Sequence, residues 1–215
     1  NPTTAVAPPE FYDRLVAFAK RYSIIVVHDN AYSELVFSGE PCGSFLAHEG
    51  AAEVGIELNS LSKTYGLAGA RIGFAVGNSN VISALKSIKA QIDYGMFLAL
   101  QQGAISALNG PQDCVEQTVA AYRSRRDALI SAMADAGWSI EPPAATMFVW
   151  AALPEGYGDS AAFARELFMK TGIVVTPGSA FGERGNGYVR FALVQDEQTI
   201  LRAAEAVKES GMFAR

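Results

Sequence analysis

Apolar positions in the first hundred residues follow two alternating rhythms. Residues 9–22, P-E-F-Y-D-R-L-V-A-F-A-K-R-Y, open with a proline suited to a first helical turn. They set Phe11, Leu15, Phe18, Ala19 and Tyr22 along one side, which predicts an amphipathic helix. Residues 24–28, I-I-V-V-H, form a short β-branched run without alternation, the pattern of a strand buried on both faces of a parallel sheet. Two more short strands are expected at 55–59 and 72–76, and a helix at 80–92 with Val81, Leu85, Ile88 and Ile92 on its apolar side. Helix and strand in alternation predict an α/β fold with a mostly parallel sheet.

From residue 97 the rhythm lengthens. Helical periodicity runs over 97–108 and again over 113–136, with Asn109-Gly110-Pro111 between them and Gly137 after the second. A strand at 147–153, a helix at 160–171 and short strands at 173–175 and 188–193 follow. Asp196 then suits the N-cap of a last helix reaching residue 209. The expected organisation is a portion of a large α/β domain over 1–105 and a smaller α+β domain over 106–215, with a helix rather than a loop crossing the boundary. No repeat or low-complexity linker interrupts the chain.

Composition narrows the function classes. The 215 residues are 50% hydrophobic and 18% charged, with mean hydropathy +0.14, which describes a soluble globular chain with a sizeable core. Seventeen basic residues face 22 acidic ones, for a net charge of −5, and no basic block exceeds Arg125-Arg126, so nucleic acid is not an expected partner. No apolar run reaches the length of a membrane span, and the chain opens without a basic flank and apolar signal core, so the default setting is cytoplasmic. Cys42 and Cys114 read as ordinary reduced thiols. His28 and His48 lie too far apart to propose a zinc pair, and no metal is expected. The sequence begins Asn1-Pro2-Thr3-Thr4 without a methionine, as though the frame had been entered inside a domain.

The chemistry gathers where strands end. Asp29 follows the apolar strand directly, and Tyr32 comes three residues later. Lys63 follows another strand in the loop S-L-S-K-T-Y-G-L-A-G-A-R, with Ser60 and Ser62 before it and Arg71 eight residues on. In an open parallel sheet the carboxyl ends of the strands face the ligand crevice, so these groups are expected on one rim. A lysine on a turn is ordinarily a solvated surface residue. A carboxylate, a phenol, two hydroxyls and a guanidinium at these spacings suit instead an anionic phosphate beside a cationic heteroaromatic ring, with an amine ready to form a Schiff base.

These motifs resemble the class I/II aminotransferases, pyridoxal-phosphate enzymes of the aspartate aminotransferase fold. S-x-S-K with A-R-I-G looks like the family's lysine loop, and D-x-x-Y at Asp29 and Tyr32 like its ring-binding pair. N-P-T-T at Asn1 looks like its N-P-x-[GT] motif, and Y-V-R-F-A-L around Arg190 resembles the strand carrying its carboxylate-binding arginine. Within the family, H-D-x-A-Y-S-E, S-L-S-K-T-Y and D-Y-G-M-F are worded most like the bacterial LL-diaminopimelate and alanine aminotransferases. The run G-L-A-G-A at 66–70 departs from the family, where many relatives carry a bulkier residue before the arginine.

The resemblance implies roles. Lys63 would form the Schiff base with pyridoxal 5'-phosphate and shuttle the substrate's proton, and Asp29 would pair with the pyridinium nitrogen. Tyr32 and Asn1 would hold the phenolic oxygen, and Ser60, Ser62 and Arg71 the phosphate. Arg190 would grip the substrate carboxylate with its two-pronged guanidinium. The implied reaction moves an amino group between an α-amino acid and a 2-oxo acid in a homodimer. A pyridoxal-phosphate lyase, or the effector domain of a transcriptional regulator binding the cofactor as a ligand, could use the same cradle. The resemblance covers the whole of this chain and only the second half of the family's usual length, so the piece alone is expected to be poorly stable and inactive.

Overall fold

Pro9 at the first helical position, Glu10 in the first turn and Lys20 and Arg21 in the last all favour a helix, because they suit its unpaired ends and its dipole. Helix α1 runs Pro9–Tyr22 in the computed structural model, which describes residues 1–37 and 43–213. It stops where Ser23 turns left-handed (φ 52°) and returns its N–H to the Ala19 carbonyl. The buried side only partly matches the one the spacing favours. Ala19 is buried as expected and Leu15 packs partly buried against the core, but Tyr12 and Val16 are the residues buried with Phe45 and Ala51, while Phe11, Phe18 and Tyr22 are exposed.

The chain divides into two compact units, one of Val6–Val119 and one of Asn1–Ala5 with Ala120–Arg215. That division lies inside helix α6, Asp113–Asp135, later in the chain than the boundary expected at residue 105.

In the unit Val6–Val119, strands β1 (Val26–Asp29), β2 (Gly55–Ser60) and β3 (Gly73–Gly77) form one sheet in that order. β1 runs parallel to β2 and β3 antiparallel to it, so the described sheet is mixed. The expectation that the first strand is buried on both faces fails: β1 alternates, and Val27 is 57% exposed. Among the described residues it is an outer strand of the three, without the second neighbour and the cover on both faces that a central parallel strand has. Gly77, at φ 130°, meets β2 so closely that a Cβ there would come within 2.5 Å of the Gly55 carbonyl oxygen. Short helices α2 (Ala51–Val54) and α3 (Leu61–Thr64) flank β2. Helix α4, Ser79–Ile92, starts where Asn78 Oδ1 accepts from the Asn80 and Val81 amides, and α5 runs Leu98–Asn109. Of the expected apolar stripe of α4, Val81 is half-buried and Leu85, Ile88 and Ile92 are exposed.

The second unit holds β4 (Phe148–Ala152), β5 (Thr176–Pro177) and β6 (Tyr188–Ala192) in the order β4-β6-β5, all antiparallel. The strand expected at 173–175 is displaced to the two-residue β5. Gly172, left-handed at φ 73°, closes the preceding helix, and residues 173–175 lie in no strand. Helices α7 (Ser160–Thr171) and α8 (Glu197–Glu209) are capped by Asp159 and Asp196, whose carboxylates accept the amides of Ala161 and Ala162 and of Thr199. Trp138, 2% exposed, centres this core. Its ring meets Phe163 and Phe191, and its indole N–H donates to the Ala152 carbonyl at 2.9 Å.

Cys114 is an exposed free thiol, and Cys42 lies outside the described residues. Among the described residues no helix is long and apolar enough to cross a membrane.

Candidate active site

Strand β2 delivers the lysine. At its last residue, Ser60 Oγ accepts the Ser62 amide at 3.2 Å and caps the single turn α3. Leu61, buried, donates its amide to the Ile72 carbonyl and anchors the turn to the chain entering β3. Lys63 is the third residue of that turn and half-buried, with Ser62 buried beside it.

Strand β1 delivers the carboxylate and the phenol. Asp29 ends it in register with Leu58 of β2, and the Asn30 amide continues the ladder to the Leu58 carbonyl at 2.9 Å. A turn follows, closed by the Ser33 amide on the Asn30 carbonyl and the Leu35 amide on the Tyr32 carbonyl. It sets the Tyr32 ring under the lysine: Lys63 Nζ lies 5.4 Å from the ring centroid, a cation–π distance. Two adjacent parallel strands thus bring Lys63, Tyr32, Ser60 and Ser62 into one neighbourhood, with Asp29 exposed at the neighbouring strand end.

Arg71 sits at the C-cap of the 3-10 turn Ala68–Ala70 in a left-handed conformation, φ 56°, uncommon for a residue with a side chain. Its guanidinium is exposed and gives one N–H to the Ala68 carbonyl at 3.0 Å. Beside the lysine loop, Ser33, Glu34, Ser60, Thr64, Tyr65 and Gln112 contribute to a cavity of about 220 Å³. Tyr65 hydroxyl donates to Gln112 Oε1 there at 2.9 Å. Burial, with the nearby Cys114 and Glu34, holds the Tyr65 phenol above its ordinary range despite that bond.

Asn1 and Arg190 belong to the other unit and meet within it. Arg190, in the middle of β6 opposite Trp150 and Thr176, donates from Nη1 to Asn1 Oδ1 at 2.7 Å. Its guanidinium carbon lies 4.1 Å from the centroid of the Phe148 ring and 4.7 Å from that of Phe181. Its Nε is buried and has no hydrogen-bond partner among the described residues. An orphaned buried donor costs about 1–3 kcal/mol.

The buried carboxylate of Glu57 escaped the sequence reading. Only 4% exposed, it accepts from His28 Nδ1 (3.2 Å), Asn30 Nδ2 (3.2 Å), Ser44 Oγ (2.7 Å) and Asn59 Nδ2 (2.9 Å). Burial pushes its carboxyl up, but the donors, Asn59 foremost, outweigh that and leave it below its ordinary value. A signal existed in V-G-I-E-L-N: a charge inside an apolar strand is almost never buried unpaired.

Comparison with known proteins places the chain in a family. Residues 1–207 match the family described as aminotransferase class I and II. An LL-diaminopimelate aminotransferase of Halothermothrix orenii is 48% identical over 210 residues, 98% of this chain and 54% of the relative. The glutamate-pyruvate aminotransferase AlaC of Escherichia coli is 44% identical over 97% of this chain and 51% of its own. The solved structure of an aminotransferase from Staphylococcus aureus superposes with a TM-score of 0.92 at 39% identity, covering all of this chain and 57% of that one. The chain therefore belongs to the class I and II aminotransferases and has their α/β fold. It spans about half the length of the curated relatives it matches.

Proposed function

We propose that the complete protein is a pyridoxal-phosphate-dependent aminotransferase that moves an amino group between an α-amino acid and a 2-oxo acid. The observation that carries this reading is the half-buried amine of Lys63, held 5.4 Å over the Tyr32 ring on the turn that follows Asp29. The donor set fits the cofactor: a carboxylate for a ring nitrogen, a phenol for a ring oxygen, and two hydroxyls and a guanidinium for a phosphate. When bound, the cofactor supplies a carbonyl that amines can condense with and a ring that accepts electrons from the substrate.

In this reading Lys63 would hold the cofactor through its amine and would be the base that takes the proton from the substrate α-carbon. Asp29 keeps the ring nitrogen protonated, because a nearby anion favours the charged form. Tyr32 and Asn1 hydrogen-bond the ring oxygen, and Ser60, Ser62 and Arg71 neutralise the phosphate. Arg190 binds the substrate carboxylate, a role supported by its hydrogen bond to Asn1 Oδ1 and by the two rings beside its guanidinium. A homodimer of complete chains in the cytoplasm is part of the same proposal. Absorbance spectra of the full-length protein, before and after adding alanine or glutamate, test it. A visible band that moves on adding amino acid is expected, and no band with added cofactor would overturn the reading.

A further inference from the structure

We propose that Glu57 is a positioning residue, which aims Asp29 and the lysine loop by clamping the two strand ends that carry them. The inference rests on the cofactor-binding reading and goes beyond it, because Glu57 sits on the far side of the strands from the groups assigned to the cofactor.

Strand alternation is the first step. His28 pairs with Glu57 and Asp29 with Leu58 in the parallel register, and successive side chains leave opposite faces. His28 and Asn30, on either side of Asp29, both donate to the Glu57 carboxylate. Asp29 between them is thereby turned to the other face and is exposed. Glu57 fixes the direction of that carboxylate without touching it.

The grip extends to β2. Asn59, immediately before Ser60 and so before the lysine turn, donates to Glu57 Oε1, the oxygen that also receives Asn30. The other oxygen receives His28 and Ser44, and Ser44 begins the 3-10 turn Phe45–Ala47. Asn30 spends both amide hydrogens in this corner, the second on the Gly43 carbonyl at 3.1 Å. With His28 Nδ1 donating to Glu57, Nε2 is left to accept from the Tyr12 hydroxyl at 3.4 Å, which ties the cluster to α1. A carboxylate offers only acceptors, and this site offers it only donors. A glutamine of the same shape would turn an NH₂ group toward donors and disorder the ends of both strands together.

The closing experiment is a double-mutant cycle in the full-length protein, read as the dissociation constant of pyridoxal 5'-phosphate titrated into the cofactor-stripped protein. The four proteins are wild type, Glu57→Gln, Asp29→Asn and the double variant. Glu57→Gln is expected to weaken cofactor binding about tenfold, as loss of an outer partner of a ligand group does. The double variant is expected to bind within about twofold of the weaker single one, because both changes remove the same contact. An affinity for Glu57→Gln within about twofold of wild type, or penalties that multiply in the double variant, would overturn the inference. A purely structural Glu57 would lower the melting temperature and leave the cycle multiplicative. If Glu57→Gln does not fold, Asn30→Ala takes its place in the same cycle with the same criterion. Wild type that binds no cofactor refutes the cofactor reading itself, whereas wild type that binds and a multiplicative cycle refute only the role of Glu57.

Discussion

Arg190 and Asn1, 189 positions apart, are joined by a 2.7 Å hydrogen bond from the guanidinium Nη1 to the amide Oδ1. The asparagine thereby orients a guanidinium whose Nε has no hydrogen-bond partner among the described residues. Losing a hydrogen bond to a charged group costs about 1.5–3 kcal/mol. Asn1→Ala in the full-length protein should therefore raise KM for amino acid and oxo acid about tenfold or more, with a smaller change in kcat. Steady-state kinetics with both substrates check this, and an unchanged KM would remove Asn1 from substrate binding.

Phe181 covers one face of the same guanidinium and is partly exposed, so it can be changed with little damage to the core. Phe181→Leu keeps the apolar cover and removes the π face, worth about 0.5–1 kcal/mol at an exposed site. Affinity for a carboxylate inhibitor such as maleate should fall about two- to fivefold, measured by its inhibition constant, while the melting temperature stays near that of wild type.

Glu57 predicts a pH dependence of stability. Its folded carboxyl lies below the ordinary 4.5, so the unfolded chain binds its proton first as pH falls. The stabilisation is complete above the ordinary glutamate range and is lost as pH drops through the lower folded value. Urea melts of the full-length protein at pH 7 and at successive steps below pH 4.5 should show an acid limb that flattens in Glu57→Gln. At pH 7 that variant should be less stable by about 1–3 kcal/mol, since donors lose their acceptor. An unchanged acid limb would show that Glu57 does not contribute to it.

Much of the architecture was legible. α4, α5, α6, α7 and α8 lie within a residue or two of their expected bounds, because caps such as Asp196 and breakers such as Gly137 mark them locally. What failed depended on neighbours. α1 carries apolar residues on two sides, and only the packing of Phe45 and Ala51 chooses Tyr12 and Val16 over Phe11, Phe18 and Tyr22. β1 looks like a central strand in composition and lies at the side of the described sheet. Of the candidate site, the S-x-S-K and D-x-x-Y spacings do correspond to one neighbourhood around Lys63 and Tyr32. The aromatic rings about Arg190 were not legible, because Phe148 and Phe181 lie 42 and 9 positions away in sequence and meet it only through the fold. Glu57 was missed because its donors are spread from His28 to Asn59.

Lys63 is proposed as the amine that holds the cofactor. Borohydride treatment of the full-length protein loaded with pyridoxal 5'-phosphate, followed by peptide mass mapping, tests it most directly. The expected result is a reduced cofactor adduct on the peptide containing Lys63, and none on that peptide in Lys63→Ala. An adduct on a different lysine, or no adduct in the loaded wild-type protein, would contradict the account.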